Sequence, residues 1–187
     1  MSGRESYAAG AAAGAEVRKD GETWTLILVR DLRHPPERIW KALTDPSQLR
    51  EWAPFDADRS LGTTGPVKLS TVGTPKTVVD ETRVTRADEA RLLEYTWGGK
   101  DMRWELKPHD SGTRLTLWHC IDRGFISMGA AGWHICFDVL ERFLADEPIG
   151  RIVAGDAMKF GWPRLNAEYA KQFGVEVPGW PPKAEPA

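Results

Sequence analysis

Trp133-His134-Ile135-Cys136-Phe137-Asp138-Val139-Leu140-Glu141-Arg142-Phe143-Leu144 decides how this chain folds. Trp133, Phe137, Leu140 and Leu144 repeat at helical spacing, and Cys136 and Phe143 widen the stripe. Gly129-Ala130-Ala131-Gly132 opens this helix, and Asp146-Glu147-Pro148 with Gly150 breaks it. It is the one long apolar helix the sequence offers, and what precedes it is mostly β-strand. One helix laid across a curved antiparallel sheet leaves a gap at its centre, to be filled by a ligand or by side chains.

Upstream of the helix, residues 55–122 read as a meander of about five strands. Val67 to Val72 alternates at period two, Gly98-Gly99 makes a hairpin turn, and Met102, Trp104 and Leu106 alternate with Arg103, Glu105 and Lys107. Asp110-Ser111-Gly112 turns the chain again, and Leu115, Leu117, His119 and Ile121 share one face of the last strand. Nearer the start, Lys19-Asp20-Gly21 predicts a hairpin whose second arm spans residues 24–32. Pro35-Pro36 ends that arm and begins a short helix carrying Ile39, Trp40 and Leu43. Asp45-Pro46 starts a second, with Asp45 as its N-cap, which closes at Trp52-Ala53-Pro54. Downstream, residues 151–160 and 163–173 predict two more helical pieces, the last ended by Gly174. The class is α+β with an antiparallel sheet.

The 187 residues suit one ordinary domain, 41% hydrophobic and 28% charged. A net charge of −2 supplies no basic field for a phosphate backbone, so nucleic acid is not an expected partner. No apolar run reaches the roughly 18 residues of a membrane span, so no membrane role is expected. Ala8 to Ala15 is rich in Ala and Gly and lacks the apolar centre of a signal peptide. Residues 1–14 are expected to be a disordered leader, 15–174 a single domain, and 175–187 a tail ordered as far as Trp180. Two unpaired cysteines fit a reducing cytoplasm. Nine tryptophans predict a wide core or an aromatic-lined cavity.

Pro35-Pro36-Glu37-Arg38-Ile39-Trp40-Lys41-Ala42-Leu43-Thr44-Asp45-Pro46, followed by Leu49 and Trp52, resembles the opening motif of the heat-shock-protein-90 ATPase activator homologue family. The likeness continues through Leu92 to Trp97, Gly112 to His119, and Gly132-Trp133-His134 with Phe137 to Leu140. It closes on Trp162, Leu165, Tyr169 and Gly174. That family lies within the START/pollen-allergen-like (SRPBCC) superfamily. The resemblance implies a helix-grip fold, a curved antiparallel sheet wrapped around a long C-terminal helix with two short helices after the first long strand. Lipid and hormone carriers, polyketide cyclases and aromatases share that superfamily.

The inward rows predict the site. Leu69, Tyr95, Trp97, Met102, Trp104, Leu117 and His119 from the sheet would face Trp133, Phe137 and Leu140 from the helix, with Trp52 near the mouth. They either wall a pocket for a flat or lipid-like molecule, with His119 and Tyr95 as polar anchors, or fill the space themselves. The more ordinary reading of His119 is a core histidine hydrogen-bonded to a backbone or carboxylate partner. His119, Cys120, His134 and Cys136 have no metal-ligand spacing, and no metal or cofactor is expected. Asp80, Glu81 and Glu94 are placed on the solvated face, Arg30, Asp31 and Arg33 in surface ion pairs, and Trp118 on the convex side. The leading expectation is a binding protein for a hydrophobic or aromatic small molecule, with no catalytic residue assigned. The alternatives are a cyclase-, aromatase- or hydrolase-like enzyme using His119, and an interaction module making a homodimer or chaperone contact.

Overall fold

The computed structural model describes residues 3–177. Eight strands form one antiparallel sheet: β1 (Ala15–Asp20), β2 (Thr23–Leu32), β3 (Phe55–Ala57), β4 (Gly65–Thr71), β5 (Val78–Asp88), β6 (Leu92–Trp97), β7 (Lys100–His109) and β8 (Gly112–Cys120). Their order across the sheet is β1-β2-β8-β7-β6-β5-β4-β3, so only β2 against β8 joins strands distant in sequence. Two short helices, α1 (Pro36–Thr44) and α2 (Pro46–Trp52), follow β2. The long helix α3 (Ile126–Leu144) and a last helix, α4 (Trp162–Phe173), follow the sheet. This is the helix-grip arrangement.

Register explains why the sheet has an inside. Leu26, His119, Met102, Tyr95 and Val84 stand opposite one another across β2, β8, β7, β6 and β5. A second row runs Leu28, Leu117, Trp104, Leu93 and Ala87. His119 thus stands directly between Leu26 and Met102, with the Tyr95 hydroxyl the one other polar group in its row. A register shift between Val84 and Arg86 marks a bulge in β5, the device that bends a sheet toward closure. Asp45 accepts from Ser47 N at 2.8 Å and caps α2 as expected.

Thirteen of the nineteen residues of α3 are buried, on more than one face. The sheet covers one side, and α4 with the N-terminal segment covers the other, where Ser127 donates to Asn166 at 2.7 Å. Several local expectations are corrected. The meander over residues 55–122 holds six strands, β3 being only three residues long. Helix α3 starts at Ile126, three residues before the Gly-Ala-Ala-Gly stretch. Gly129 sits inside it because the backbone passes close to Ile121, whose Cδ1 lies 2.5 Å from where a Cβ would stand. The piece at 151–160 is a 3-10 run over Ala154–Phe160 only.

The largest correction concerns the leader. Residues 3–14 lie against the domain, held chiefly through backbone groups rather than side-chain area. Ala9 N donates to Phe160 O at 3.2 Å, Ala12 N to Glu168 at 2.7 Å, and Val29 N to Gly14 O at 2.7 Å. Tyr7 donates its hydroxyl to Asp138 at 2.7 Å. Arg4 reaches the carbonyls of Ile149, Gly150 and Arg151. A chain poor in large apolar side chains still carries a donor and an acceptor at nearly every residue, and these find partners. Trp180 and most of the expected tail lie outside the described residues.

Candidate functional site

The space between sheet and helix divides into a filled half and an open half. Trp104 centres the filled half. Its ring packs edge-on to Trp52 (5.9 Å between centroids) and Trp133 (5.5 Å), and stacks on Phe137 (5.9 Å). The Trp104 indole donates to the Tyr95 hydroxyl at 3.0 Å, and Trp52 donates to Ala42 O at 3.0 Å. Leu69, Met102, Leu117 and Leu140 are buried in the same core. Tyr95, expected as an anchor, is engaged with Trp104, and burial pushes its phenol well above the usual range. Trp52, expected near the mouth, is 1% exposed. Its indole needs a buried carbonyl, and Ala42 in the last turn of α1 supplies one deep in the domain.

The open half is a cavity of about 490 Å³ at the other end of the sheet. Trp97, His119 and Trp133 border it, which brings three of the sequence-predicted residues together. Thr71 at the end of β4, Lys100 at the start of β7, and Ile121 and Asp122 beyond β8 add to the wall. Met128, Gly129, Gly132 and Cys136 contribute from α3, and Trp162 from α4. Ile152, Val153, Ala154, Ala157 and Met158 close the remaining side, from the loop before the 3-10 run and from the run itself. Sequence reasoning missed that segment. The signals that could have marked it are the paired Gly129 and Gly132 on one face of α3 and the breakers Pro148, Gly150 and Gly161 around the segment. Arg4 holds its near end, and Arg151 donates to Arg50 O and to Asp56, both at 2.6 Å.

Two hydrogen bonds and one ring contact fix the geometry around His119. Trp133 Nε1 donates to His119 Nδ1 at 3.0 Å. The Trp97 ring stacks on the imidazole at 5.9 Å between centroids, tilted by 26°. Trp97 Nε1 donates to Thr71 Oγ1 at 3.0 Å. Burial, with a smaller push from the Lys100 charge, lowers the His119 pKa from 6.5 to about 4. Lys100 itself pairs with Asp122 at 2.7 Å on the rim. Burial pushes the Cys136 thiol up to about 12, so it stays protonated. His134 faces away from the cavity, within 2.7 Å of the Tyr169 hydroxyl. Among the described residues no group of three or more His, Cys, Asp or Glu is gathered as a metal site would require.

On the far side of α3, Arg30 bonds Asp138 at 2.8 Å and Glu141 at 3.0 Å, with its side chain 22% exposed. This corrects its placement in a surface pair: Arg30 shares the inward face of β2 with Leu26 and Leu28, so its guanidinium meets the helix. Asp31 does form a surface pair, with Arg114 at 2.7 Å. Glu81 pairs with Lys68 and Glu94 with Arg103, while Asp80 accepts from Gly98 N. Trp118 is half-buried beneath the Arg103 guanidinium.

Residues 33–145 match the family described as activator of Hsp90 ATPase homolog 1-like protein. No curated protein matches the chain. Solved structures of similar fold include a conserved protein of unknown function from Enterococcus faecalis, at 18% identity and a TM-score of 0.66. That alignment covers 84% of this chain and 89% of the other. CalU16 from Micromonospora echinospora is 22% identical with a TM-score of 0.58, covering 87% and 97%. A protein from Bordetella parapertussis, solved by solution NMR, is 22% identical with a TM-score of 0.59, covering 91% and 96%. At such identities the likeness extends to the fold.

Proposed function

The chain belongs to the activator of Hsp90 ATPase homolog 1-like family, and from that premise we propose that it is a binding protein for a hydrophobic or aromatic small molecule. The observation carrying this reading is the cavity of about 490 Å³ beside the aromatic cluster centred on Trp104. Small-molecule sites commonly have about 300–1,000 Å³, with apolar walls and a few placed polar groups. Here the walls are Trp97, Trp133, Met128 and Ile152, and the placed groups are His119 and Thr71. The unpaired thiols of Cys120 and Cys136 favour a reducing, cytoplasmic setting.

An enzyme using His119 as acid or base has less support. A histidine with a pKa of about 4 is a weak base at neutral pH, and its Nδ1 is already occupied by Trp133. The experiment is native mass spectrometry of protein purified from its own cell lysate, beside a gently denatured sample. A discrete mass lost on denaturation is the expected result. Its absence at several growth conditions, with no uptake of apolar dyes, refutes the reading.

A further inference from the structure

His119 presents one polar atom to the cavity, and its other bonds determine what that atom does. Because Nδ1 accepts from Trp133, the neutral ring carries its proton on Nε2. The low pKa keeps this neutral donor form in place at physiological pH. No described residue accepts from Nε2, and His119 makes no further hydrogen bond to a described residue. Yet no described side-chain nitrogen or oxygen is both sealed from solvent and unpartnered. Nε2 therefore keeps accessible surface on a residue only 6% exposed that borders the cavity. Stacking on Trp97 fixes the plane of the ring.

The remaining polar lining is of the same kind. Thr71 Oγ1 accepts from Trp97, which leaves its own hydrogen free to donate. Lys100 and Asp122 neutralise each other at the rim. Resting on the reading of the cavity as a binding site, the geometry points to a neutral, largely apolar ligand whose carbonyl or ether oxygen accepts from His119 Nε2–H. A carboxylate fits poorly, because a neutral imidazole offers it no charge and the nearby ammonium is paired. A bare hydrocarbon fits poorly too, since it would cover a buried N–H and give it no partner.

Benzophenone and diphenylmethane share a shape and differ by a carbonyl against a methylene. Each is titrated into the wild-type chain and into His119→Phe, following tryptophan fluorescence. In ¹⁵N-labelled wild type the His119 Nε2 and Trp133 indole resonances are followed as well. The ketone is expected to bind about tenfold tighter than the hydrocarbon. That advantage disappears in His119→Phe, and benzophenone shifts the Nε2 resonance of the wild type. Equal binding of the two molecules to the wild type overturns the acceptor assignment and leaves the binding site standing. Binding of neither overturns both. Should His119→Phe fail to fold, the wild type decides: an Nε2 signal unmoved by bound benzophenone, or a proton found on Nδ1, overturns the assignment.

Discussion

Replacing Gly132 with alanine will stabilise the protein, although the residue lies inside the longest helix and borders the cavity. A glycine in a helix interior costs about 1 kcal/mol relative to alanine, because the unfolded chain loses more freedom there. Steric cost does not offset this. A Cβ at position 132 meets nothing nearer than Trp162 Nε1 at 4.0 Å, an ordinary contact. For a domain of this length, about 1 kcal/mol corresponds to a rise of roughly 2–4 °C in Tm. Thermal melting followed by circular dichroism measures it. Gly132→Leu extends the same side chain into the open half, and it is expected to keep the fold while losing benzophenone binding. A Tm for Gly132→Ala at or below wild type refutes the reasoning, because it would mean that α3 and α4 approach more closely than the 4.0 Å gap describes. Unchanged benzophenone binding by Gly132→Leu would place that probe somewhere other than the cavity.

Further outcomes follow from the same geometry. His119 has its folded pKa lowered from 6.5 to about 4, so the unfolded chain takes up a proton that the native state refuses. Its contribution is complete above about pH 6.5 and is lost as pH falls toward 4, by about 3 kcal/mol in total. Urea titrations at pH 7, 6, 5 and 4 should show a steeper decline for wild type than for His119→Gln. Parallel slopes would contradict the buried neutral ring. Trp104→Ala removes the centre of the filled half and the partner of Tyr95, and should cost about 3–5 kcal/mol in chemical denaturation; a loss under about 1 kcal/mol would show that the aromatic cluster is not close-packed. Arg4→Ala releases three successive carbonyls from one guanidinium. Amide exchange over residues 149–158 should quicken while Tm barely moves, and unchanged exchange would show that the segment is held by its own contacts.

How far the sequence could be read depended on whether a feature has a period. The alternation of Leu115, Leu117 and His119, and of Met102, Trp104 and Leu106, was legible because a strand side chain has only two faces to choose between. The stripe of Trp133, Phe137 and Leu140 was legible for the corresponding reason in helices. What alternation cannot give is depth along the sheet axis. Trp104 and Trp97 face the same interior, yet one fills it and the other borders open space. The difference is set by where α2 brings Trp52. The closing segment at 152–158 read only as part of a short helical piece, and nothing in that reading drew it toward the site. Arg30 was misplaced because a charged residue on an inward strand face reads as a surface pair until the opposing helix supplies Asp138 and Glu141.

The N-terminal strap imposes an order of events on synthesis. Tyr7 waits for Asp138, 131 residues later in the chain, and Ala12 and Ala13 wait for Glu168 and Tyr169, 156 residues later. At typical translation speeds of about 5–20 residues per second, that is roughly seven to thirty seconds between a residue leaving the ribosome and its partner following. The strand-to-strand hairpins from β4 to β8 form from neighbours in sequence and need no such delay. Docking of Ala12 and Ala13 is complete only after α4 has emerged, so this stretch is secured late. The hydrogen bonds of Arg4 use only residues 149–156, which emerge before α4, so a nascent chain halted there would lack the Trp162 side of the cavity and the anchors of Ala12 and Ala13.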